Sequence, residues 1–346
     1  MKILHTSDLH IKEYRDESWR AFESLIKVAA REKIDFFVIA GDLFDEKSSF
    51  VKLYPEIRPL LNDTDYEFII IAGNHDEKAF GTEAFLGEKV KIIRNLNEPL
   101  EYENLRFFGF PFRNITSGEV RNSLRKIKDL ALEDKVNILL LHGELLDHSF
   151  SGSDFGDEKI NYMSARLSFF ENLNLKYVLA GHFHTNFQIY ELDPEGFFVY
   201  PGSPISITKK ETGKRSVNIF EIGKPPSQHK VDTPYYKKLT LNIYPEDSSS
   251  PFSKIKKKIR KSPKEAKFLV TITGYIKENE EDFHKQVKEM EEKYRNLEIE
   301  NRVRGIEQLL EDELFKAFNS KLKESNPSRR REIKKLVIKS LLESEE

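Results

Sequence analysis

The sequence predicts an α/β fold, a sandwich of strands flanked by helices, for its first 222 residues. Three observations lead to this prediction. Strand-like and helix-like segments alternate along that stretch. Several of the strand-like segments are continuous apolar runs, which is typical of strands that are buried on both faces. Five of them end in short motifs that contain His, Asp or Asn.

The elements of this part follow one another in a regular order. Strands are expected at 1–6, 34–40, 68–72, 105–112, 136–141, 177–180, 187–192, 197–200 and 215–221. Helices are expected at 15–31, 48–61, 117–132 and 165–170. The stretch 147–162 is polar and contains glycine, so we expect a long loop there, and long loops in compact domains are commonly functional.

The composition changes after residue 222. Glycine and prolines mark 223–234 as a linker. Residues 235–304 predict a small α/β unit, with strands at 236–243, 267–276 and 297–303 and helices at 252–261 and 280–295.

Residues 305–346 predict a terminal pair of amphipathic helices, 305–323 and 328–342. The expected apolar stripes are Ile306, Leu310, Leu314, Phe318 and Leu322 in the first helix and Ile333, Leu336, Val337, Ser340 and Leu341 in the second. Helices with so little core of their own need a partner surface, unless they fold back on their own domain.

Composition excludes several classes of protein. The chain has no cysteine, which rules out disulfides, thiolate metal sites and cysteine nucleophiles. Its formal net charge is only −2, so any contact with DNA must come from a local basic patch. No signal peptide is visible, and no apolar run approaches the roughly 20 residues that span a bilayer. We therefore expect a cytoplasmic protein that does not enter the membrane.

Polar residues of metal-binding types follow five of the predicted strands. They are Asp8 and His10, Asp42, Asn74 and His75, His142, and His182 and His184. Sites in open α/β sheets lie outside the carboxyl ends of the strands, so we expect these side chains to meet. Imidazole and carboxylate without thiolate suits Mn, Fe or Zn better than Mg or Ca. The two oxygens of Asp42 could bridge two ions of the kind that catalyse phosphoryl displacement.

The motifs D-x-H, G-D, G-N-H-D, H-G and G-H-x-H occur in this order between residues 8 and 184, and the chain resembles the calcineurin-like metallophosphoesterase superfamily. The resemblance implies a β-sandwich flanked by helices and two metal ions. One ion would be held by Asp8, His10, Asp42 and His184. The other would be held by Asp42, Asn74, His142 and His182. His75, paired with Asp76, would be the histidine that is not a ligand and that assists the leaving oxygen.

Within that superfamily the chain is similar to the SbcD-type DNA repair exonucleases. The residues that carry this similarity are the segments LHTSDLH (4–10), AGDLFD (40–45) and YPGSPI (200–205). The similarity implies a nuclease that uses two Mn²⁺ or other divalent transition metals, with 3′→5′ exonuclease and single-strand endonuclease activity. It also implies a DNA-capping domain at 235–304, docking of an SbcC-type coiled-coil ATPase to 305–346, and a homodimer formed near 50–61. The sequence departs from the usual pattern at Ile11-Lys12, where the family usually has Leu-Gly.

Several basic and aromatic residues are candidates for DNA contact, with ordinary surface charge or packing as the alternative. They are Arg94, Arg113, Arg121, Lys209, Lys210, Lys214, Arg215, the basic segment 254–261, Phe155 and Tyr162. The remaining histidines, His5, His148, His229 and His284, are expected to be solvated or locally hydrogen-bonded.

Two other functions remain open from the sequence. The chain could hydrolyse a small phosphodiester such as a cyclic nucleotide, or it could be a scaffold without catalysis. A small-substrate enzyme has little need for the residues beyond 234, and a scaffold has little need for an intact set of ligands.

Overall fold

Among the residues that the structure describes, two six-stranded sheets form the first of two units, Met1–Tyr236, and the second unit is Lys237–Glu346. The computed structural model describes residues 1–81, 84–147, 163–184, 186–245, 247, 249–277, 279–322 and 327–343. Most of the expected loop at 147–162, with His148, Phe155 and Tyr162, therefore lies outside the described residues.

The first unit contains twelve described strands in two sheets. In chain order they are β1 (Lys2–Thr6), β2 (Phe36–Ala40), β3 (Glu67–Ile71), β4 (Val90–Ile92), β5 (Leu100–Glu101), β6 (Leu105–Phe110), β7 (Val136–His142), β8 (Tyr177–Gly181), β9 (Gln188–Leu192), β10 (Gly196–Tyr200), β11 (Ser216–Glu221) and β12 (Gln228–Lys230). The first sheet has the order β12-β11-β1-β2-β3-β4, and the second has the order β5-β6-β7-β8-β10-β9. The central strands of each sheet run parallel, so their carboxyl ends lie at one edge.

Alternate residues of the strands face two different cores. Ile3 and Val38 of the first sheet pack in one cluster with Ile138 and Leu179 of the second, so this cluster fills the space between the sheets. Residues of the opposite parity, such as Leu4, pack under the helices that cover the outer faces. The predicted sandwich flanked by helices is confirmed.

The helices of the first unit are α1 (Glu17–Glu32), α2 (Lys47–Asn62), α3 (Ser117–Arg125) and α4 (Ile127–Leu130). Asp16 caps α1 by accepting the backbone amide of Trp19 at 2.6 Å. Helix α2 forms as expected although it contains two prolines. Two expectations were wrong in extent. The helix expected at 117–132 breaks after Arg125, and the one expected at 165–170 is a single 3-10 turn, Leu167–Phe169.

Part of the stretch expected to be a linker pairs with the first sheet. Gln228–Lys230 forms β12 and pairs antiparallel with β11, and Val231 and Thr233 are buried. Gly223, Pro225 and Pro226 therefore lie in the turn between two paired strands, and Pro234 lies after β12, close to the end of the first unit at Tyr236.

The second unit has a three-stranded sheet with helices packed on it. Its strands, β13 (Tyr235–Ile243), β14 (Ala266–Ile276) and β15 (Leu297–Gly305), lie in that order, and β14 and β15 run parallel. Helices α5 (Pro251–Arg260) and α6 (Glu280–Lys293) bury apolar side chains that include Phe252 and Phe283, whose ring centroids are 5.2 Å apart.

Three helices end the described chain, α7 (Glu307–Glu311), α8 (Glu313–Leu322) and α9 (Pro327–Glu343). They share a small core made of Ile306, Phe315 and Ile338, against which Tyr275 of β14 packs. Of the expected stripe residues, Ile306 is buried in this core, whereas Leu314 is 72% exposed and Leu336 is 68% exposed. No helix among the described residues is long and apolar enough to cross a membrane.

Candidate metal centre

The strand ends that carry the motifs meet at one place in the first unit. The loops after β1 and β2 run side by side, with the amides of Asp8 and His10 bonded to the carbonyls of Gly41 and Asp42 at 3.1 and 3.0 Å. Asp8, His10, Asp42 and His182 all have positive φ, at 55°, 47°, 53° and 97°. Residues other than glycine adopt this conformation at a cost of roughly 1–3 kcal/mol each, and such residues cluster at functional sites.

The first group of ligand-type atoms comes from Asp8, His10 and His184, which all lie within 4.8 Å of one another. His184 Nε2 is 3.7 Å from Asp8 Oδ1. Asp42 adjoins this group, since its Oδ2 is 3.8 Å from His10 Nε2. The structure thus brings together the four residues expected to hold one ion.

A second group of ligand-type atoms includes Asp42 itself, together with Asp8 and His142. His142 Nε2 is 3.3 Å from Asp42 Oδ2 and 2.9 Å from Asn74 Oδ1. The ring of His182 lies beside that of His142, with the centroids 5.3 Å apart. Asp42 therefore stands between two sets of ligand-type side chains, as expected for a bridging carboxylate.

Three histidines are held by hydrogen bonds at Nδ1. The acceptors are the Ala40 carbonyl for His142 at 2.8 Å, the Asp45 carbonyl for His75 at 2.9 Å, and Glu211 Oε1 for His184 at 3.4 Å. An oxygen at Nδ1 fixes the tautomer with hydrogen on Nδ1, which leaves the lone pair on Nε2. The ring nitrogens that face the centre are thus the ones able to bind a metal.

Buried charges compensate one another across the centre. Burial acts to raise the pKa of Asp42, but the charges of His142, His10 and His75 outweigh it and hold this pKa well below its ordinary value. Burial acts to lower the pKa of His142, yet Asp42 and Asp8 raise it to about 10. A carboxylate–imidazole cluster of this kind releases protons when it binds a metal cation.

The donor set fits a transition-metal ion. Asp42 Oδ2 and His10 Nε2 are buried and make no hydrogen bond with any residue that the structure describes. A buried polar atom without a partner is costly, and a cation between these two atoms would satisfy both. Mixed imidazole and carboxylate ligands favour Mn, Fe or Zn.

Two glycines allow this close approach of the loops. A Cβ on Gly73 would lie 2.1 Å from Asp42 Oδ1, and a Cβ on Gly41 would lie 2.1 Å from His142 Nδ1. Gly41 also has a φ of +95°. Only glycine fits either position without displacing a ligand-type side chain.

The carboxylate of Asp76, the residue expected to pair with His75, accepts hydrogen bonds from three backbone amides. Its Oδ1 accepts the amide of Gly73 at 2.8 Å, and its Oδ2 accepts the amides of Leu43 at 2.8 Å and Phe44 at 3.2 Å. Asp76 is fully buried, and burial followed by the charge of Asp42 raises its pKa to about 7. The carboxylate therefore ties the loop after β3 to the loop after β2.

Asp45 takes the position next to His75. Its backbone carbonyl bonds His75 Nδ1, and its Oδ1 lies 3.4 Å from His10 Nδ1. Its Oδ2 lies 3.6 Å from the ammonium of Lys12, the residue that departs from the family pattern. Lys12 is thus linked through Asp45 to an expected ligand.

The structure separates the candidate DNA contacts into residues that bond to loop carbonyls and residues that are exposed. Arg94 is a correction, because its guanidinium donates to the carbonyls of Phe80, Gly81, Ala84 and Ile92 and holds a loop. Arg215 is a second correction, because it is buried and donates to the carbonyls of Ser203 and His184. Arg113, Lys209 and Lys210 are exposed.

The other histidines have varied environments. His5 was expected to be solvated or locally bonded, but it is fully buried, and burial lowers its pKa to about 3, with a smaller opposing effect from the Ala180 backbone. His284 is exposed and His229 is half-buried.

Glu211 is the residue of the centre that sequence reasoning missed. It is fully buried, and it accepts hydrogen bonds from the amides of Ile207 and Thr208 at 2.9 and 3.1 Å besides its contact with His184. Burial acts to raise its pKa, but His184, the Ile207 amide and Arg215 lower it to about 2. A glutamate next to lysines usually lies on the protein surface. The sequence around Glu211 therefore contains no pattern that would have predicted its burial beside His184.

Comparison with known proteins gives the same family as the motifs. Residues 1–186 match the family described as calcineurin-like phosphoesterase. The chain is 26% identical over 251 residues to the SbcD component of nuclease SbcCD from Staphylococcus epidermidis, and the match covers 62% of this chain and 64% of that protein. It is 25% identical over 284 residues to DNA double-strand break repair protein Mre11 of Sulfurisphaera tokodaii, covering 74% of this chain and 69% of that protein. The resemblance inferred from the motifs is confirmed.

Among solved structures, the chain aligns with "GAP50 the anchor in the inner membrane complex of Plasmodium". The TM-score is 0.40 and the identity 12%, over 67% of this chain and 89% of that chain.

Proposed function

Because the chain belongs to the calcineurin-like phosphoesterase family, we propose that it is a manganese-dependent DNA nuclease of double-strand-break repair. The observation that carries the proposal is the position of Asp42 between the two groups of ligand-type atoms. The names of the two relatives, a component of a nuclease and a break-repair protein, support DNA as the substrate.

We assign the two metal positions as follows. Position 1 is the set Asp8, His10, Asp42 and His184, and position 2 is the set Asp42, Asn74, His142 and His182. Two Mn²⁺ ions at these positions would supply a nucleophile at neutral pH and neutralise the charge on the phosphate oxygens. The family supports divalent metals in general, and Mn²⁺ in particular is the proposal.

His75 would protonate the leaving 3′ oxygen. Its ring lies beside that of His10, with the centroids 4.5 Å apart, so it adjoins position 1. Its amide donates to Asp42 Oδ1 at 2.9 Å, and its Nδ1 is held by the Asp45 carbonyl. Both contacts fix the residue, and Nε2 is the nitrogen that would transfer the proton. Asp76 holds this loop through its hydrogen bonds to the amides of Gly73, Leu43 and Phe44.

The second unit would supply contacts with DNA and with a partner. Helix α5 carries several lysines on a domain that we assign to DNA capping, 235–304. On residues 305–346, Leu314 and Leu336 are exposed apolar side chains, which suits docking of an SbcC-type coiled-coil ATPase. Val51 on α2 is 61% exposed, which suits a homodimer contact.

The test is degradation of end-labelled linear DNA. Wild type with Mn²⁺ is expected to shorten the strand from its 3′ end and to cut single-stranded DNA, and chelation is expected to abolish both. His75→Ala should lose most of the activity while retaining Mn²⁺, and His229→Ala, outside the centre, should resemble wild type. Cleavage of cyclic nucleotides or small diesters without any cleavage of DNA would contradict the nuclease and favour the small-substrate alternative.

A further inference from the structure

The histidines assigned to position 1 are backed by carboxylates. His184 Nδ1 is 3.4 Å from Glu211 Oε1, and His10 Nδ1 is 3.4 Å from Asp45 Oδ1. At position 2, His142 Nδ1 is bonded to the neutral carbonyl of Ala40 at 2.8 Å. His184 and His10 therefore each have a carboxylate at Nδ1, whereas His142 has a neutral carbonyl there.

The Glu211 carboxylate is built into the fold as an anion. Oε1 accepts the amide and hydroxyl of Thr208 at 3.1 and 3.0 Å, and Oε2 accepts the amide of Ile207 at 2.9 Å. Ser203 Oγ lies 3.2 Å from Oε2. Both oxygens therefore face donors, which is the environment that an ionised carboxylate requires.

A buried cation balances this anion. Arg215 is 3% exposed, and its Nε donates to the Ser203 carbonyl at 2.9 Å. Its Nη2 donates to the carbonyl of His184 and to Ser203 Oγ. Arg215 therefore holds the backbone of His184 while Glu211 holds its ring, so this residue is fixed at both its backbone and its side chain.

We propose that Glu211 is a positioning residue for His184 and that, with Asp45 behind His10, it makes position 1 the tighter of the two metal positions. A carboxylate that accepts the Nδ1 hydrogen raises the basicity of Nε2 and fixes the ring, and a neutral carbonyl does so less. This inference rests on the proposed two-metal function. It adds an order of loading, in which position 1 fills first and position 2 fills at higher metal concentration.

The rival role for Glu211 is to anchor the loop 203–211 without any effect through His184. Ser206 provides the matched control, because it is buried in the same loop and its Oγ donates to the Glu211 carbonyl at 2.6 Å. Ser206→Ala removes an anchor of this loop and leaves the Glu211 carboxylate intact. Thr208→Val removes one donor to Oε1 and leaves the charge unchanged.

The experiment is a calorimetric titration of the full chain with MnCl₂, followed by electron paramagnetic resonance of the bound Mn²⁺. Wild type is expected to bind two ions with unequal affinities. Glu211→Gln should weaken the tighter ion about 10–100-fold, the usual effect of losing a carboxylate behind a metal-ligating histidine, and leave the weaker one unchanged. Thr208→Val should give a smaller loss at the same position, and Asn74→Ala should weaken only the other ion.

Three outcomes would overturn the proposal. In the first, Glu211→Gln and Thr208→Val both leave the two Mn²⁺ affinities unchanged. In the second, Ser206→Ala weakens binding of the same ion as much as Glu211→Gln does. In the third, Glu211→Gln weakens binding at the position that Asn74→Ala also weakens. Wild type that binds no Mn²⁺ would instead refute the proposed metal-dependent function, and the positioning role with it. Urea unfolding of each variant without metal establishes that it folds.

Discussion

The carboxylate of Asp76 accepts the backbone amide of Leu43 at 2.8 Å, and this bond joins the loop after β3 to the loop after β2. Asp76→Ala would leave the amides of Gly73, Leu43 and Phe44 without this acceptor. A buried donor left without an acceptor costs about 1–3 kcal/mol, so three such amides predict at least about 3 kcal/mol of lost stability. Urea unfolding measures it, with the exposed Asp65→Ala as the control. Unchanged stability with lost catalysis would restore a direct catalytic role.

Gly73→Ala is expected to disable both metal positions. The added Cβ would lie 2.1 Å from Asp42 Oδ1, so the bridging carboxylate would have to move. Titration with Mn²⁺ should show weaker binding of both ions, and DNA cleavage should fall accordingly. Gly81→Ala is the matched control, because its Cβ would meet nothing within 4 Å. Normal Mn²⁺ binding by Gly73→Ala would refute the bridging role of Asp42.

The buried side chain of His5 should make the free energy of unfolding depend on pH. Its pKa is about 3 in the folded protein and near 6.5 when unfolded, so the unfolded chain binds more protons between these values. Stability from this group is therefore present above pH 6.5 and is lost as pH falls, at up to about 1.4 kcal/mol per pH unit. Urea unfolding in EDTA at pH 7 and pH 5 should show a smaller loss for His5→Leu than for wild type. The exposed His284→Leu should retain the wild-type loss, and an equal loss in His5→Leu would contradict the prediction.

Arg94 and the pair Lys209 and Lys210 should behave in opposite ways. Arg94→Gln removes donors to the carbonyls of its loop, and we expect about 1–3 kcal/mol of lost stability without a change in the salt dependence of DNA binding. Lys209→Gln with Lys210→Gln should retain stability and reduce that salt dependence, by a slope of about 0.9 for each lost phosphate contact. Fluorescence anisotropy over a salt series measures the slope, and a reversed pattern would assign DNA contact to Arg94.

In the terminal helices, we expect different residues to serve packing within the chain and docking of a partner. Leu314→Asp with Leu336→Asp should leave folding intact and abolish co-purification with the proposed coiled-coil ATPase partner, because both side chains are exposed. Phe315→Ala should lower the unfolding temperature, because Phe315 lies in the core of these helices. If the two aspartates leave co-purification unchanged, the partner does not dock on this face.

The sequence by itself determined the α/β class, the order of the central strands along the chain and the types of side chain at five strand ends. These are local properties, because apolar runs predict buried strands and the residue after a strand is set by the chain itself. The motifs Asp8-Leu9-His10 and Gly181-His182-Phe183-His184 therefore predict one shared centre from the sequence alone.

Only the tertiary structure decided which charged residues serve that centre. Glu211 reaches His184 from 27 positions away, and Asp76 reaches Leu43 across 33 positions. Arg94 and Arg215 looked like surface cations, yet they bond loop carbonyls. A charged side chain has no periodic pattern that reveals its partner, since burial and pairing depend on how loops meet in three dimensions.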